Sequence, residues 1–95
     1  MNILVTGATR GIGKAIAENL NGHNIFATGR CEELLRVYKN YIVCDLAVKS
    51  YLEKLGKYIE EKEIDVLINN AGEYIYFPIE NIEYSQLEHI IKVNL

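Results

Sequence analysis

This sequence has few of the residues that mark several protein classes. It carries two cysteines and one proline in 95 residues. Cys31 and Cys44 lack a metal-ligand spacing and are too few for a disulfide framework, so a reducing cytoplasm is the expected compartment. The two histidines, His23 and His89, have no sequence neighbours that would complete a triad or a metal site, and both read as surface residues. No apolar run approaches the roughly 20 residues needed to span a bilayer. Met1-Asn2 leads straight into a strand pattern rather than a signal peptide. Neither sign of charge dominates: 10 Lys+Arg against 13 Asp+Glu give a net charge of -3, no reason to expect nucleic-acid binding. An anionic ligand would have to be held by local donors rather than by a global field. Linkers, repeats and low-complexity segments are missing. The length fits one small domain, whose core buries about 60–65% of the unfolded surface at most.

What is present is an alternation of short apolar runs and helical patterns. Strands are expected at Asn2 to Thr6, Ile25 to Thr28, Tyr41 to Cys44 and Ile64 to Asn69. Helices are expected at Gly11 to Leu20, Glu32 to Tyr38 and Val48 to Lys62, with a last one after Pro78. The first helix shows a stripe of Ile12, Ala15, Ile16, Asn19 and Leu20. The third shows Val48, Tyr51, Leu52, Leu55, Tyr58 and Ile59, and the last shows Leu87, Ile90, Ile91 and position 94 or 95. Strands that are apolar throughout, each followed by a helix, imply an α/β fold with a parallel sheet covered on both faces. Right-handed crossovers give the Rossmann-type strand order 3-2-1-4.

The stretch Thr6 to Gly13, TGATRGIG, falls between the first strand and the first helix. That context suits a dinucleotide-binding loop. Glycines at 7, 11 and 13 let the chain turn off the strand, approach a pyrophosphate and pack the helix on the sheet. Helix N-terminal N–H groups then face the phosphates, and Thr9 adds a hydroxyl. Read alone, the loop also fits a glycine turn with no ligand. At the end of the second strand an NAD site usually carries an acid for the ribose 2′-OH. Here Thr28-Gly29-Arg30 stands there. Arg30 and Arg10 offer cationic forks for a 2′-phosphate, which favours NADP(H) and leaves NAD(H) possible. The bland alternative is two solvated arginines. Glu32 and Glu33 lie past the strand and read as helix N-terminal charges.

Three later motifs complete the pattern: Cys44-Asp45-Leu46 after the third strand, Asn69-Asn70-Ala71-Gly72 after the fourth, and Val93-Asn94 on the last helix. With the T-G-x-x-x-G-x-G loop they resemble the short-chain dehydrogenase/reductase family, over the whole span from Asn2 to Leu95. The loop looks like that of the family's shorter branch, not its epimerase-like extended branch. The resemblance implies that residues 1–95 are the N-terminal part of an NAD(P)-binding Rossmann domain, truncated before the later strands. It implies that Gly7, Thr9, Arg10, Gly11, Ile12 and Gly13 line the pyrophosphate and adenosine side. Asp45 would accept from the adenine amino group with Leu46 beside the ring, and Asn70, Ala71 and Gly72 would run along the adenosine ribose. Asn69 would tie the fourth strand to Thr6. Val93 would touch the cofactor, and Asn94 would open the family's Asn-Ser-Tyr-Lys catalytic group.

The resemblance further implies hydride transfer between a nicotinamide and a small carbonyl or alcohol substrate. The family's Ser and Tyr-x-x-x-Lys do not follow Asn94 in this sequence. The 95 residues alone are therefore expected to be inactive, and to act with a complementing C-terminal segment or as a homo-oligomer. Tyr58 to Lys62 does spell Y-x-x-x-K, but it precedes N-N-A-G and its tyrosine belongs to an apolar stripe, so it reads as packing. A rival reading is a non-catalytic nucleotide-binding or interaction module that pairs through an open edge at the fourth strand.

Overall fold

The computed structural model describes residues 1–20, 22–72 and 83–94, apart from the side chain of Asn94. Pro78 and Leu95 lie outside the described residues. The elements are β1 (Asn2–Thr6), α1 (Gly11–Asn19), β2 (Asn24–Gly29), α2 (Glu32–Leu35), β3 (Asn40–Val43), α3 (Lys49–Glu61), β4 (Val66–Ile68) and α4 (Tyr84–Asn94). The strands form one sheet in the order β3-β2-β1-β4. Every pairing is parallel, with Val5 opposite Ala27 and Ile68, and Thr6 opposite Thr28.

Alternate residues along each strand point to opposite faces, and both faces are covered. Ile3, Val5 and Ala27 pack with Ala8, Ala17 and Leu35 on the α1 and α2 side. Leu4, Phe26, Ile42 and Cys44 pack with Leu55 of α3 on the other. This two-sided burial is why the strand sequences are apolar without alternation. Tyr58 sits in the second layer, its ring edge-on to Phe26 at 6.1 Å between centroids. The Lys62 ammonium lies 5.9 Å from the Tyr58 ring centre. Burial pushes the Tyr58 hydroxyl pKa up, the opposite of what a proton-transferring tyrosine needs. Tyr58 is packing, as its stripe implied.

Several boundaries and faces differ from the sequence reading. α2 is a single turn, Glu32–Leu35, rather than a helix to Tyr38. Leu35 is fully buried, and Tyr38 leaves the helix to donate its hydroxyl to the carbonyl of Ala8 at 2.6 Å. β4 is shorter than Ile64 to Asn69 because its ends are occupied elsewhere. The Ile64 N–H closes the end of α3 on Ile59 O at 3.2 Å. At the other end the chain turns off the sheet after Ile68, the Asn70 N–H reaching back to Ile68 O at 3.1 Å and to the Thr6 hydroxyl at 3.0 Å.

The inward face of α1 is Gly13, Ile16, Ala17 and Leu20, one residue round from the expected stripe. Ile12 is 74% exposed, and Asn19 folds back onto Ala15 O at 2.7 Å. α4 is likewise turned: Ile90 and Val93 are half-buried, while Leu87 and Ile91 stand about half exposed. In α3 only Leu55, Tyr58 and Ile59 of the stripe are covered, and Val48, Tyr51 and Leu52 are exposed.

Candidate functional site

The site is built where the strand order reverses, between the C-terminal ends of β1 and β4. Such crevices are where ligands bind in open α/β sheets. The chain leaves β1 through Gly7 at φ 66° and enters α1 through Gly11 at φ 60°. Both are left-handed conformations that favour glycine. The Gly7 N–H donates to Thr28 O at 3.1 Å, which pins the loop to β2.

Gly13 has a different task. A β-carbon there would run into the Gly7 carbonyl oxygen and the Asn70 side-chain amide. Its absence lets α1 rest directly on the loop.

Thr6 locks the loop after β4 to the loop after β1. Its hydroxyl donates to Ile68 O at 3.3 Å and accepts from the N–H groups of Asn70 at 3.0 Å and Ala71 at 2.9 Å. Asn70 adds a bond from Nδ2 to Gly7 O at 3.3 Å. The tie expected of Asn69 is thus made by the residues flanking it, through backbone groups that no side-chain pattern reveals.

The crevice holds a cavity of about 550 Å³, within the range of small-molecule sites. Ten of the thirteen residues expected to hold a cofactor line it: Gly7, Thr9, Arg10, Arg30, Asp45, Leu46, Asn70, Ala71, Gly72 and Val93. Gly11, Ile12 and Gly13 do not line it; they form the first turn of α1. Asn94 is the last residue of α4, and its side chain lies outside what the structure describes. The lining also includes Thr28, Cys31, Leu34 and Cys44, which the sequence reading did not place there. Thr28 and Cys44 sit at the ends of strands whose neighbours were assigned, so their position was the signal that could have found them.

Local donors dominate the cavity's electrostatics. Helix α1 has no side-chain cap and no acid in its first turn, so its first N–H groups lack an internal partner. Arg10 and Arg30 are both exposed on the rim. Asp45 is held by its own turn, its Oδ1 accepting from Ala47 N at 3.0 Å and its carbonyl from Val48 N at 3.0 Å. Burial, and then the Asp45 carboxylate, push the Cys44 thiol up against a smaller opposing pull from Lys54. Cys44 is a packing residue whose weak S–H contact goes to Tyr51 O at 3.7 Å. His23 sits at the other end of the sheet, its Nδ1 3.2 Å from the N-terminal amine. His89 is half-buried beside a smaller cleft that also includes Asp45 and Lys92. Among the described residues no helix is long and apolar enough to cross a membrane.

The family model for short chain dehydrogenase matches residues 1–95. The chain belongs to the short-chain dehydrogenase family. It is 40% identical over 83 residues to the NADP-dependent 3-hydroxy acid dehydrogenase YdfG of Salmonella typhi, covering 76% of this chain and 34% of that protein. It is 34% identical over 110 aligned positions to the 3-oxoacyl-[acyl-carrier-protein] reductase FabG of Aquifex aeolicus, covering 97% of this chain and 43% of that one. The short-chain dehydrogenase from Sphingobium yanoikuyae, solved in complex with NADPH, superposes with a TM-score of 0.91 at 25% identity. That match covers 98% of this chain and 42% of the solved one. The chain therefore spans between a third and a half of the length of these short-chain dehydrogenases.

Proposed function

We propose that this short-chain dehydrogenase chain is the cofactor-binding part of an NADP-dependent oxidoreductase. The observation that carries the reading is the crevice itself. An uncapped helix N-terminus, the left-handed turn at Gly7 and two arginines meet there, and the end of β2 carries Arg30 where an NAD site would place an acid. The NADP dependence of a relative and the NADPH complex of a structural neighbour support the same preference. NAD(H) would be the weaker ligand.

Each part of the crevice then has a role. The loop and first-turn N–H groups beyond Gly7, whose own N–H is held by Thr28 O, take the pyrophosphate, with Ile12 contributing its backbone rather than its exposed side chain. Thr9 adds a hydroxyl donor. Arg10 and Arg30 take the 2′-phosphate as planar forks. Asp45 accepts from the adenine amino group, Leu46 and Val93 cover apolar surface, and Asn70, Ala71 and Gly72 follow the ribose and the middle of the nucleotide. The bound nicotinamide supplies or takes up the hydride, with a small carbonyl or alcohol as its partner. Asn94 opens the catalytic group. The family's Ser and Tyr-x-x-x-Lys would be brought by a complementing C-terminal segment. Residues 1–95 form the N-terminal part of the Rossmann domain, in a cytoplasmic enzyme that assembles as a homo-oligomer or with that segment.

Amide chemical shifts recorded during an NADP titration test this reading. Shifts concentrated at residues 7–13, 45–46 and 70–72 are expected. Shifts confined to α3, or none at millimolar nucleotide, would overturn it.

A further inference from the structure

Two threonines lie side by side at the ends of β1 and β2. Thr6 and Thr28 are paired in register and are 3% and 2% exposed. The Thr6 hydroxyl makes three hydrogen bonds, to Ile68 O and from the N–H groups of Asn70 and Ala71. The Thr28 hydroxyl makes none, and among the described residues it is the one buried side-chain oxygen or nitrogen without a partner. Buried hydroxyls are nearly always paired, because desolvation without a replacement bond is costly. An orphan in a native fold therefore needs a reason.

Its surroundings supply one. Thr28 lines the crevice together with Cys44, Asp45 and Leu46. It falls two residues after Phe26, and thus on the same sheet face as Phe26, Ile42 and Cys44. Its backbone carbonyl is already taken by the Gly7 N–H at 3.1 Å, which fixes the residue while leaving the side chain unused. A hydroxyl offers one donor and two acceptor lone pairs, which suits the polar edge of a purine or a ribose. The geometry points to Thr28 as a buried positioning residue for the adenosine end of the bound nucleotide, its hydroxyl pairing with that end directly or through one enclosed water. This inference rests on the nucleotide reading above and adds to it a contact at the crevice floor, distinct from the arginines on its rim.

The test uses the 95-residue chain, calorimetry, and two probes: NADP and adenosine 2′,5′-bisphosphate. Thr28→Val keeps the shape and removes the hydroxyl. It is expected to weaken both probes about tenfold, equivalent to about 1.4 kcal/mol, while the melting temperature of the free chain stays level or rises. Thr28→Ser, which restores the hydroxyl, is expected to bind within about twofold of the parent. Thr28→Ala provides the same comparison if the valine packs poorly. Thr28→Val binding both probes within about twofold of the parent would overturn the inference. A loss for NADP with none for the bisphosphate would overturn the assignment to the adenosine end. A parent chain that binds neither probe would overturn the nucleotide reading as well, which separates the two failures.

Discussion

Gly13→Ala and Gly56→Ala are the same chemical change in two helices, and the structure gives them opposite signs. Alanine in place of glycine inside a helix stabilises by about 1 kcal/mol through backbone entropy. At Gly56, on the exposed side of α3, an added β-carbon meets no heavy atom within 4 Å. The full gain should appear there, raising the melting temperature by about 4–8 °C for a chain of this size. At Gly13 the β-carbon would run into Gly7 O and Asn70 Nδ2, and would come within 2.9 Å of the Gly7 carbonyl carbon. Two of these atoms are backbone and cannot rotate away. Overpacking costs about 1–3 kcal/mol, and the rigid neighbours place this case at the upper end. Subtracting the helix gain leaves a net loss of about 2 kcal/mol, or roughly 8–16 °C. Thermal denaturation followed by circular dichroism reads both variants. A Gly13→Ala chain as stable as the parent would refute the close seating of α1 on the phosphate loop.

Other outcomes follow from the same contacts. Arg30→Asp removes a rim cation and should reverse the preference from NADP toward NAD in a competitive titration; an unchanged ratio would remove Arg30 from the site. Glu63 sits at φ 52° just past α3, with its N–H on Glu60 O and the Ile64 N–H on Ile59 O. That is a glycine-type helix stop, so Glu63→Gly should raise stability by about 0.5–1 kcal/mol in urea unfolding. Burial raises the Tyr38 hydroxyl pKa, aided by the Glu18 carboxylate, and burial raises that of Tyr58. The folded chain then keeps these protons above pH 10 while the unfolded chain loses them. Their stabilisation is complete below pH 10 and fades as pH climbs through the folded values. The Tyr38→Phe, Tyr58→Phe double variant should lose stability less steeply above pH 10 in a pH-dependent melt.

Much of the architecture was legible because parallel strands buried on both faces leave near-continuous apolar runs. β1, β2 and β3 were found within a residue or two for that reason, and the order 3-2-1-4 followed from handedness. The helix faces were less legible. α1 turns on Gly13, and a glycine adds nothing to an apolar stripe, so the reading favoured Ile12 when the sheet meets Gly13 and Ala17. α2 was cut to one turn by a single long-range bond, Tyr38 to Ala8, across 30 residues. At the site, Arg10 was visible from its place in the glycine loop, and Asp45 and Asn70 from the resemblance to the family. Thr28 was not. Its interest lies in a missing partner, and only packing reveals that.

The most direct measurement is a calorimetric titration of the purified 95-residue chain with NADP and NAD, its intact mass checked beforehand. The account predicts saturable NADP binding and weaker NAD binding. No heat at millimolar NADP, or tighter binding of NAD, would contradict it.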